Sequence, residues 1–362
     1  MNRADKFVES LVKSLDISEN NYKNAVKGYE SFGKWLNRRE SLVANFGAKI
    51  YPQGSFALGT AIKPINDRDD YDIDLVCEVY GFNRDKITQE DFKSMIGVEV
   101  KRYHQSYNFK EPIEEGRRCW TLNYAEVANF HMDILPAIFE KGNDVVKNTK
   151  IYITDKTADN YHTISKDWPT SNPKAYQNWF KERNTTFKKL HRILAESKGV
   201  SIDDVPEYLV KTPLQKVIQI AKRHRDLFFK NYERKPISII ITTLFAKAYN
   251  GEESVEDIFR FVVPKLIKQF ESDKEGNYRL RNPVNQDEFF TDRWKDNDEK
   301  KFIWWLREFS KVVNVLCGDI TDKSYNLLRE SFGSRFTNKA LCESIEEKII
   351  IIENPNRPWR TR

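Results

Sequence analysis

The chain has 362 residues, of which 40% are hydrophobic and 13% aromatic, with only 14 glycines and 13 prolines. This composition excludes collagen-like, low-complexity and largely disordered proteins, and the length is sufficient for two domains of ordinary size. The 60 Lys and Arg residues outnumber the 54 Asp and Glu residues, but residues 174–235 alone hold 15 basic against 7 acidic side chains. That segment is therefore either an anion-binding surface or a solvated helix face.

Membrane and secretory signals are missing from the sequence. No apolar stretch reaches the roughly 20 residues that a membrane-spanning helix needs, and the N-terminus lacks the apolar middle of a signal peptide. The four cysteines, Cys77, Cys119, Cys317 and Cys342, are far apart and form no CxxC pair. We therefore expect a cytoplasmic protein that is not bound to a membrane, with buried thiols and no zinc site.

The predicted elements divide the chain into a mixed half and a helical half. Apolar spacing predicts two helices within residues 5–45 and a helix at 89–107, with strands at 49–53, 72–79, 118–124 and 129–135. From Asn172 onward the periodicity is almost wholly helical, and helices are expected at 175–197, 213–229, 237–250, 255–271, 296–316 and 324–332. The polar run 165–173 separates the halves, so we predict an α+β protein with domains 1–168 and 169–362.

The segment 51–60 is the first candidate site. It places Gly54 and Ser55 directly after a predicted strand. Glycine lets an anion approach the backbone closely, and the serine hydroxyl adds a hydrogen-bond donor. The turn is therefore a candidate phosphate site, although a Gly-Ser pair by itself is common.

Three aspartates form the second candidate site. Asp72 and Asp74 are two residues apart on a predicted strand and point to the same face, whereas Asp133 lies on another apolar strand with His131. A buried acid needs a cation, which is either a Lys or Arg partner or a divalent metal such as Mg²⁺ or Mn²⁺. The alternative for Asp72 and Asp74 is an exposed strand start, and His131 is expected to be a hydrogen-bonded core residue rather than a catalytic one.

The order of these features is specific when they are taken together: Gly54-Ser55, sixteen residues, Asp72-Ile-Asp74, then Asp133. It resembles the nucleotidyltransferase superfamily of DNA polymerase β, poly(A) polymerase, the oligoadenylate synthetases and cyclic GMP-AMP synthase. The closer similarity is to bacterial cGAS/DncV-like nucleotidyltransferases of anti-phage signalling systems (CBASS). In the helical half that similarity rests on residues 212–226, 235–244, 282–285 and 289–294.

The resemblance implies a two-lobed polymerase β-like fold in which a mixed-sheet catalytic lobe and a helical lobe hold nucleotides between them. It assigns Asp72, Asp74 and Asp133 to metal binding and catalysis, and Gly54 and Ser55 to the triphosphate. In the family the third acid also helps to deprotonate the attacking hydroxyl. Lys222 and Ser238 look like the family's lysine and serine for the β- and γ-phosphates, although Ser238 could instead be a helix N-cap, and Arg223 and Arg225 could lie on a solvated face.

The implied activity is Mg²⁺-dependent joining of NTPs into a cyclic oligonucleotide that acts on a downstream effector. The resemblance implies a monomer that needs no nucleic acid for activity. One alternative enzyme uses the same carboxylates to extend an RNA end or to modify a protein. The alternative from another class is a non-catalytic nucleic-acid-sensing module, which the retention of all three aspartates disfavours, because acids that share one face repel each other without a cation.

Overall fold

The chain contributes to two units and passes from one to the other more than once in the computed structural model, which describes residues 3–66, 71–124, 130–139, 149–272, 278–295 and 297–352. The sheet unit comprises the described parts of Ile17–Lys211 and Leu280–Phe290. The helical unit comprises the described parts of Met1–Asp16, Thr212–Arg279 and Thr291–Arg362. No helix in these ranges has the length and apolar character needed to cross a bilayer.

Most of the described residues lie in helices. The α-helices are α1 (Arg3–Leu15), α2 (Glu19–Leu36), α3 (Gly54–Ala57), α4 (Gln89–Ser106), α5 (Pro173–Arg183), α6 (Phe187–Lys198), α7 (Pro213–Phe228), α8 (Ser238–Ala248), α9 (Val255–Ser272), α10 (Asp298–Leu316), α11 (Asp322–Phe332) and α12 (Ser334–Ile352). Short 3₁₀ helices cover Arg84–Lys86, Ile202–Asp204 and Glu207–Leu209.

A mixed sheet forms the centre of the sheet unit. Its strands are β1 (Ala48–Pro52), β2 (Tyr71–Tyr80), β3 (Glu114–Glu115), β4 (Trp120–Asn123), β5 (Phe130–Phe139), β6 (Ile151–Ile153) and β7 (Thr170–Ser171). The order is β1-β2-β5-β4-β3, with β6 pairing to β5 and β7 pairing to β6. Among these strand pairs only β2 and β5 run parallel. The mixed sheet agrees with the predicted α+β class.

The two faces of this sheet differ because side chains alternate along each strand. Ile73 and Leu75 of β2, with Met132 and Ile134 of β5, enter an apolar core that also contains residues of α2 and α4. Both helices begin at capped positions, since the hydroxyls of Ser18 and Thr88 accept hydrogen bonds from backbone amides in the first turn. The opposite face is therefore the one on which the aspartates of β2 and β5 lie.

Helix α7 is the central element of the helical unit. It starts with Pro213 behind a Thr212–Gln215 capping box, and every residue from 213 to 225 except Lys216 is buried. It packs against α1, α8, α9, α10 and α11. The packed part of this helix includes both arginines, so the alternative that Arg223 and Arg225 are exposed is wrong: they are 0% and 4% exposed.

Several elements differ from the sequence-based prediction. The helix expected at 175–197 is two helices, because the chain breaks at buried Asn184, whose amide ends α5 on the Phe180 carbonyl. Segments of two to five residues went unpredicted because they are too short for a clear alternation: β3, β6, β7 and the hairpin β8 (Arg281–Asn282) and β9 (Asn285–Phe289). Asn129 and Asp296, expected to begin a strand and a helix, lie outside the described residues.

The grouping of segments also differs from a division between residues 168 and 169. Helix α1 contacts α12 and belongs to the helical unit, whereas α5 belongs to the sheet unit. Gln177 of α5 donates a hydrogen bond to the carbonyl of Pro52 at 2.9 Å, which attaches this helix to β1. Such long-range contacts are not visible in local composition, from which the boundary was predicted.

Candidate active site

The parallel pairing of β2 and β5 determines how the three aspartates are arranged. In this register Asp74 lies beside Asp133, and Asp72 lies beside His131. Adjacent strands are about 4.8 Å apart, so the Asp74 and Asp133 side chains are immediate neighbours on one face of the sheet. Asp72 is exposed and the other two carboxylates are partly buried. The structure therefore places the three predicted acids on one face of the sheet, near the start of both strands.

Gly54 lies directly against this carboxylate cluster. The amide of Gln53 donates to the carbonyl of Asp74 at 2.8 Å, and Gly54 has a left-handed φ of +59°. A Cβ atom at position 54 would collide with the Asp74 carboxylate. Glycine is thus required both by the backbone conformation and by the close approach of the acid. Ser55 follows at the start of α3, so the predicted Gly-Ser turn adjoins the predicted acids.

Two polar residues of β4, neither of which was predicted, orient the side chains on β5. The Thr121 hydroxyl donates to Asp133 Oδ1 at 2.5 Å, and the Asn123 side-chain oxygen bonds to Nδ1 of His131. His131 is therefore hydrogen-bonded, as expected, but partly rather than fully buried. The strand at 118–124 was predicted from its alternation, which already placed Thr121 and Asn123 on one face. Their register against β5 could not be read from it.

Cys119 lies close to the same acids. Burial and the charges of Asp133 and Asp74 raise the pKa of its thiol to about 12. The thiol is therefore neutral at physiological pH and is not a nucleophile in this site. All four cysteines are free thiols, but only Cys77 is fully buried; Cys119 and Cys317 are partly exposed and Cys342 is exposed, which corrects the expectation of buried thiols.

The carboxylates fit Mg²⁺ by their chemistry, because all three are hard oxygen ligands. In the part of the chain that the structure describes, no three His, Cys, Asp or Glu side chains are grouped closely enough to hold a metal by themselves. Mg²⁺ is commonly bound by one or two carboxylates together with water and substrate phosphates rather than by a complete protein cage. An open set of acids beside a candidate phosphate turn has that character.

Further along β2, the buried carboxylate of Glu78 organises a hydrogen-bond network. Tyr51 and Tyr80 each donate a hydroxyl at 2.6 Å, and Lys174 of α5 donates to both carboxylate oxygens at 2.9 and 2.7 Å. Burial alone would raise the pKa of Glu78, but the hydrogen bonds from Lys174, Tyr51 and Tyr80 outweigh it and lower that pKa. The network fixes Tyr51 three residues before Gly54 and was not predicted.

The remaining predicted residues, Lys222 and Ser238, belong to the helical unit. Lys222 is 3% exposed on α7. Ser238 is the first residue of α8, whose N-cap is Ile237, so the N-cap alternative for Ser238 is wrong. Its hydroxyl accepts a hydrogen bond from Arg225 at 3.1 Å, while Arg225 also donates to the Pro236 carbonyl and pairs with Asp226. The Arg225 contacts hold Ser238 in place.

Comparison with known proteins identifies the family. Residues 1–184 match the model of the Second Messenger Oligonucleotide or Dinucleotide Synthetase domain. A c-di-GMP synthase of Roseivirga ehrenbergii is 30% identical over 301 residues, covering 82% of this chain and 75% of the relative. The cyclic dinucleotide synthase CdnG of Bradyrhizobium diazoefficiens is 24% identical over 362 residues, covering 93% of this chain and 82% of the relative.

A solved structure supports the same conclusion for the fold. The CD-NTase CdnG of Bradyrhizobium diazoefficiens, in complex with GTP, has a TM-score of 0.73 and 22% sequence identity, with 94% of this chain and 99% of that chain covered. The protein is therefore a nucleotidyltransferase with a polymerase β-like fold. It belongs to the second messenger oligonucleotide or dinucleotide synthetase family, the cGAS/DncV-like nucleotidyltransferases, whose class of product is the cyclic oligonucleotide.

Proposed function

We propose that the chain joins two GTP molecules into cyclic di-GMP, using divalent metal ions held by Asp72, Asp74 and Asp133. The observation that carries the proposal is the register of Asp74 against Asp133 beside the Gly54 turn. The choice of GTP is supported by the c-di-GMP synthase at 30% identity and by CdnG, whose structure contains GTP. Mg²⁺, when bound, neutralises the triphosphate and stabilises the leaving pyrophosphate.

The chemistry consists of two successive displacements. In each one a ribose 2′- or 3′-hydroxyl oxygen forms a bond to the α-phosphorus of a 5′-triphosphate, first that of the second GTP and then that of the linear intermediate, and the bond from that phosphorus to the bridging oxygen of the β-phosphate breaks. Pyrophosphate leaves with the bonding electron pair. The second displacement closes the ring, so one cyclic product accounts for two pyrophosphates.

Asp133 is the residue that we assign to the proton of the attacking hydroxyl. Its Oδ1 accepts the Thr121 hydroxyl at 2.5 Å, which fixes the orientation of the carboxylate. The other oxygen, Oδ2, is the atom that accepts the proton. Thr121 acts as a positioning residue in this assignment, because it contacts the carboxylate and not the substrate.

Gly54 and Ser55 contribute to binding of the triphosphate. The lack of a side chain at position 54 leaves the backbone open next to Asp74, and the Ser55 hydroxyl is a donor at the following position. Phosphate oxygens are strong acceptors, so these groups would orient the nucleotide relative to the carboxylates. In the helical unit, Lys222 and Ser238 would bind the β- and γ-phosphates.

Lys222→Ala is expected to weaken GTP binding at least about tenfold while leaving GMP binding nearly unchanged. The reason is that the lost ammonium group binds the β- and γ-phosphates, which GMP lacks. Ser238→Ala should give a milder loss of the same kind. Calorimetric titration with a non-hydrolysable GTP analogue and with GMP measures both. Lys216→Ala is the matched control on α7, since Lys216 pairs with Glu9 at 2.7 Å. Equal weakening of GTP and GMP binding would show that Lys222 does not bind the β- and γ-phosphates.

In the cell we propose a cytoplasmic monomer whose product signals infection to an effector in anti-phage defence.

The experiment that tests the biochemical proposal incubates the chain with α-labelled GTP and Mg²⁺, with and without added RNA, and then with phosphatase. A short labelled product that forms without RNA and is left unchanged by phosphatase, because it has no terminal phosphate, supports ring closure. Phosphatase-sensitive ladders, or labelling that requires RNA, would instead support the enzyme that extends RNA ends.

A further inference from the structure

A cavity of about 890 Å³ opens at the end of β2 opposite to the carboxylates. Its lining includes Tyr80, the last residue of β2, and Phe139, the last residue of β5. Tyr80 follows Asp74 by six positions along the strand, which corresponds to about 20 Å at roughly 3.3 Å per residue. The cavity is therefore a separate feature of the sheet unit and not an extension of the candidate active site.

Aromatic rings form much of the cavity lining. Phe46 and Phe82 lie with ring centroids 4.0 Å apart, and Tyr80 and Phe139 lie 5.6 Å apart with one ring edge toward the other. Phe82 also packs on buried Phe92, which holds its ring against the core. Phe46, in contrast, is 37% exposed. The two ring planes are tilted by 37°, and an exposed ring packed in this way on a fixed one offers a surface on which a planar ligand can stack.

Cationic side chains stand among these rings. The Arg84 guanidinium lies 3.3 Å from the centroid of the Tyr152 ring and donates to the carbonyl of Lys166, so its position is fixed. Lys166 pairs with Asp85 at 3.0 Å and also lines the cavity. The lining thus carries two positive charges against one negative charge. Arg84 is 8% exposed, so it contributes a fixed positive charge beside the cavity, and Lys166 at the surface is the cation that a phosphate group can reach directly.

The cavity is also of suitable size, because pockets for small ligands and cofactors measure about 300–1,000 Å³. A ligand that matches both the rings and the cations has a planar heterocycle and at least one phosphate. We propose that this cavity is a second binding site for a purine nucleotide, separate from the site of catalysis. The choice of guanine nucleotides as probes rests on the proposed function, since substrate GTP and product cyclic di-GMP share this chemistry.

The test is equilibrium dialysis of the full chain against labelled GTP and, separately, labelled cyclic di-GMP, with EDTA present so that no turnover occurs. The variants are Phe46→Ala and Lys166→Glu, chosen because Lys166 is largely at the surface and Phe46, at 37% exposed, lies outside the apolar core of the sheet. We expect each variant to lose nucleotide binding at the second site, or to show binding there that is about tenfold weaker. Leu42→Ala, at an exposed apolar position outside the cavity, and Lys188→Glu, on α6, are the matched controls.

A loss confined to GTP assigns the cavity to substrate, and a loss confined to cyclic di-GMP assigns it to product; both support the proposal. Unchanged binding of both nucleotides by both variants overturns it. This result is independent of the proposed function: a chain that makes cyclic di-GMP but binds nucleotides unchanged in these variants lacks the second site. Conversely, a chain that makes no cyclic di-GMP can still show the loss.

Discussion

Replacement of Asp72 and Asp74 together by asparagine should reduce formation of cyclic product by a factor of about 10³ or more. Asparagine keeps the shape of the side chain but removes the charge that binds the metal, and metal stabilisation of a phosphoryl-transfer transition state is worth several kcal/mol. The initial rate of pyrophosphate release from GTP, measured with saturating Mg²⁺, reports the loss. Each single substitution should also produce a large decrease.

The control for this experiment is folding. Asp74 lies beside Asp133, so neutralising Asp74 removes a repulsion between two carboxylates. The midpoint temperature of thermal unfolding should therefore be unchanged or slightly raised. Glu114→Gln, at an exposed position on β3, is the matched removal of one acid from the same sheet and should retain activity. Turnover by the double variant at the unmodified rate would rule out Asp72 and Asp74 as the metal-binding pair.

Lys174→Met should lower the free energy of unfolding by about 3–5 kcal/mol, because it leaves the Glu78 carboxylate buried without its cation. Glu78 is 1% exposed and receives its shortest Lys174 contact at 2.7 Å. Lys181→Met, on the same helix, removes an exposed pair with Glu207 and should cost at most about 1 kcal/mol. Denaturant unfolding of the two variants measures the difference.

A double substitution, Glu78→Gln with Lys174→Met, tests the same network. It removes the stranded charge and should recover part of the lost stability. Because the folded-state pKa of Glu78 is lowered, the carboxylate contributes stability above its ordinary pKa of about 4 and loses it as the pH falls through the folded-state value. The unmodified chain should therefore lose stability in acid more steeply than the double variant, and equal acid profiles would contradict this role.

Local sequence was sufficient to predict the main elements of the sheet unit. The alternation at 72–79 predicted β2, and the apolar spacing at 89–107 predicted α4 to within one residue. The partners of each strand could not be predicted, because 49 residues of chain lie between β2 and β5. A shift of one residue in their register would move Asp133 to the apolar face.

The same limit applies to the residues around the aspartates. The acids were predicted from composition and spacing, since carboxylates on an apolar strand need a cation. Thr121, Asn123 and Glu78 act through partners on other strands or helices, so their roles depend on tertiary pairing. Thr121 could have been proposed only after the alignment of β4 against β5 was known.

The most direct test of the proposed function is the intact mass of the product made by the purified chain from GTP and Mg²⁺ alone, with pyrophosphate quantified in the same reaction. We expect the mass of a cyclic dinucleotide with two guanines, no terminal phosphate, and two pyrophosphates for each product molecule. A linear dinucleotide that retains its 5′-triphosphate, with one pyrophosphate for each product molecule, would contradict ring closure by this enzyme.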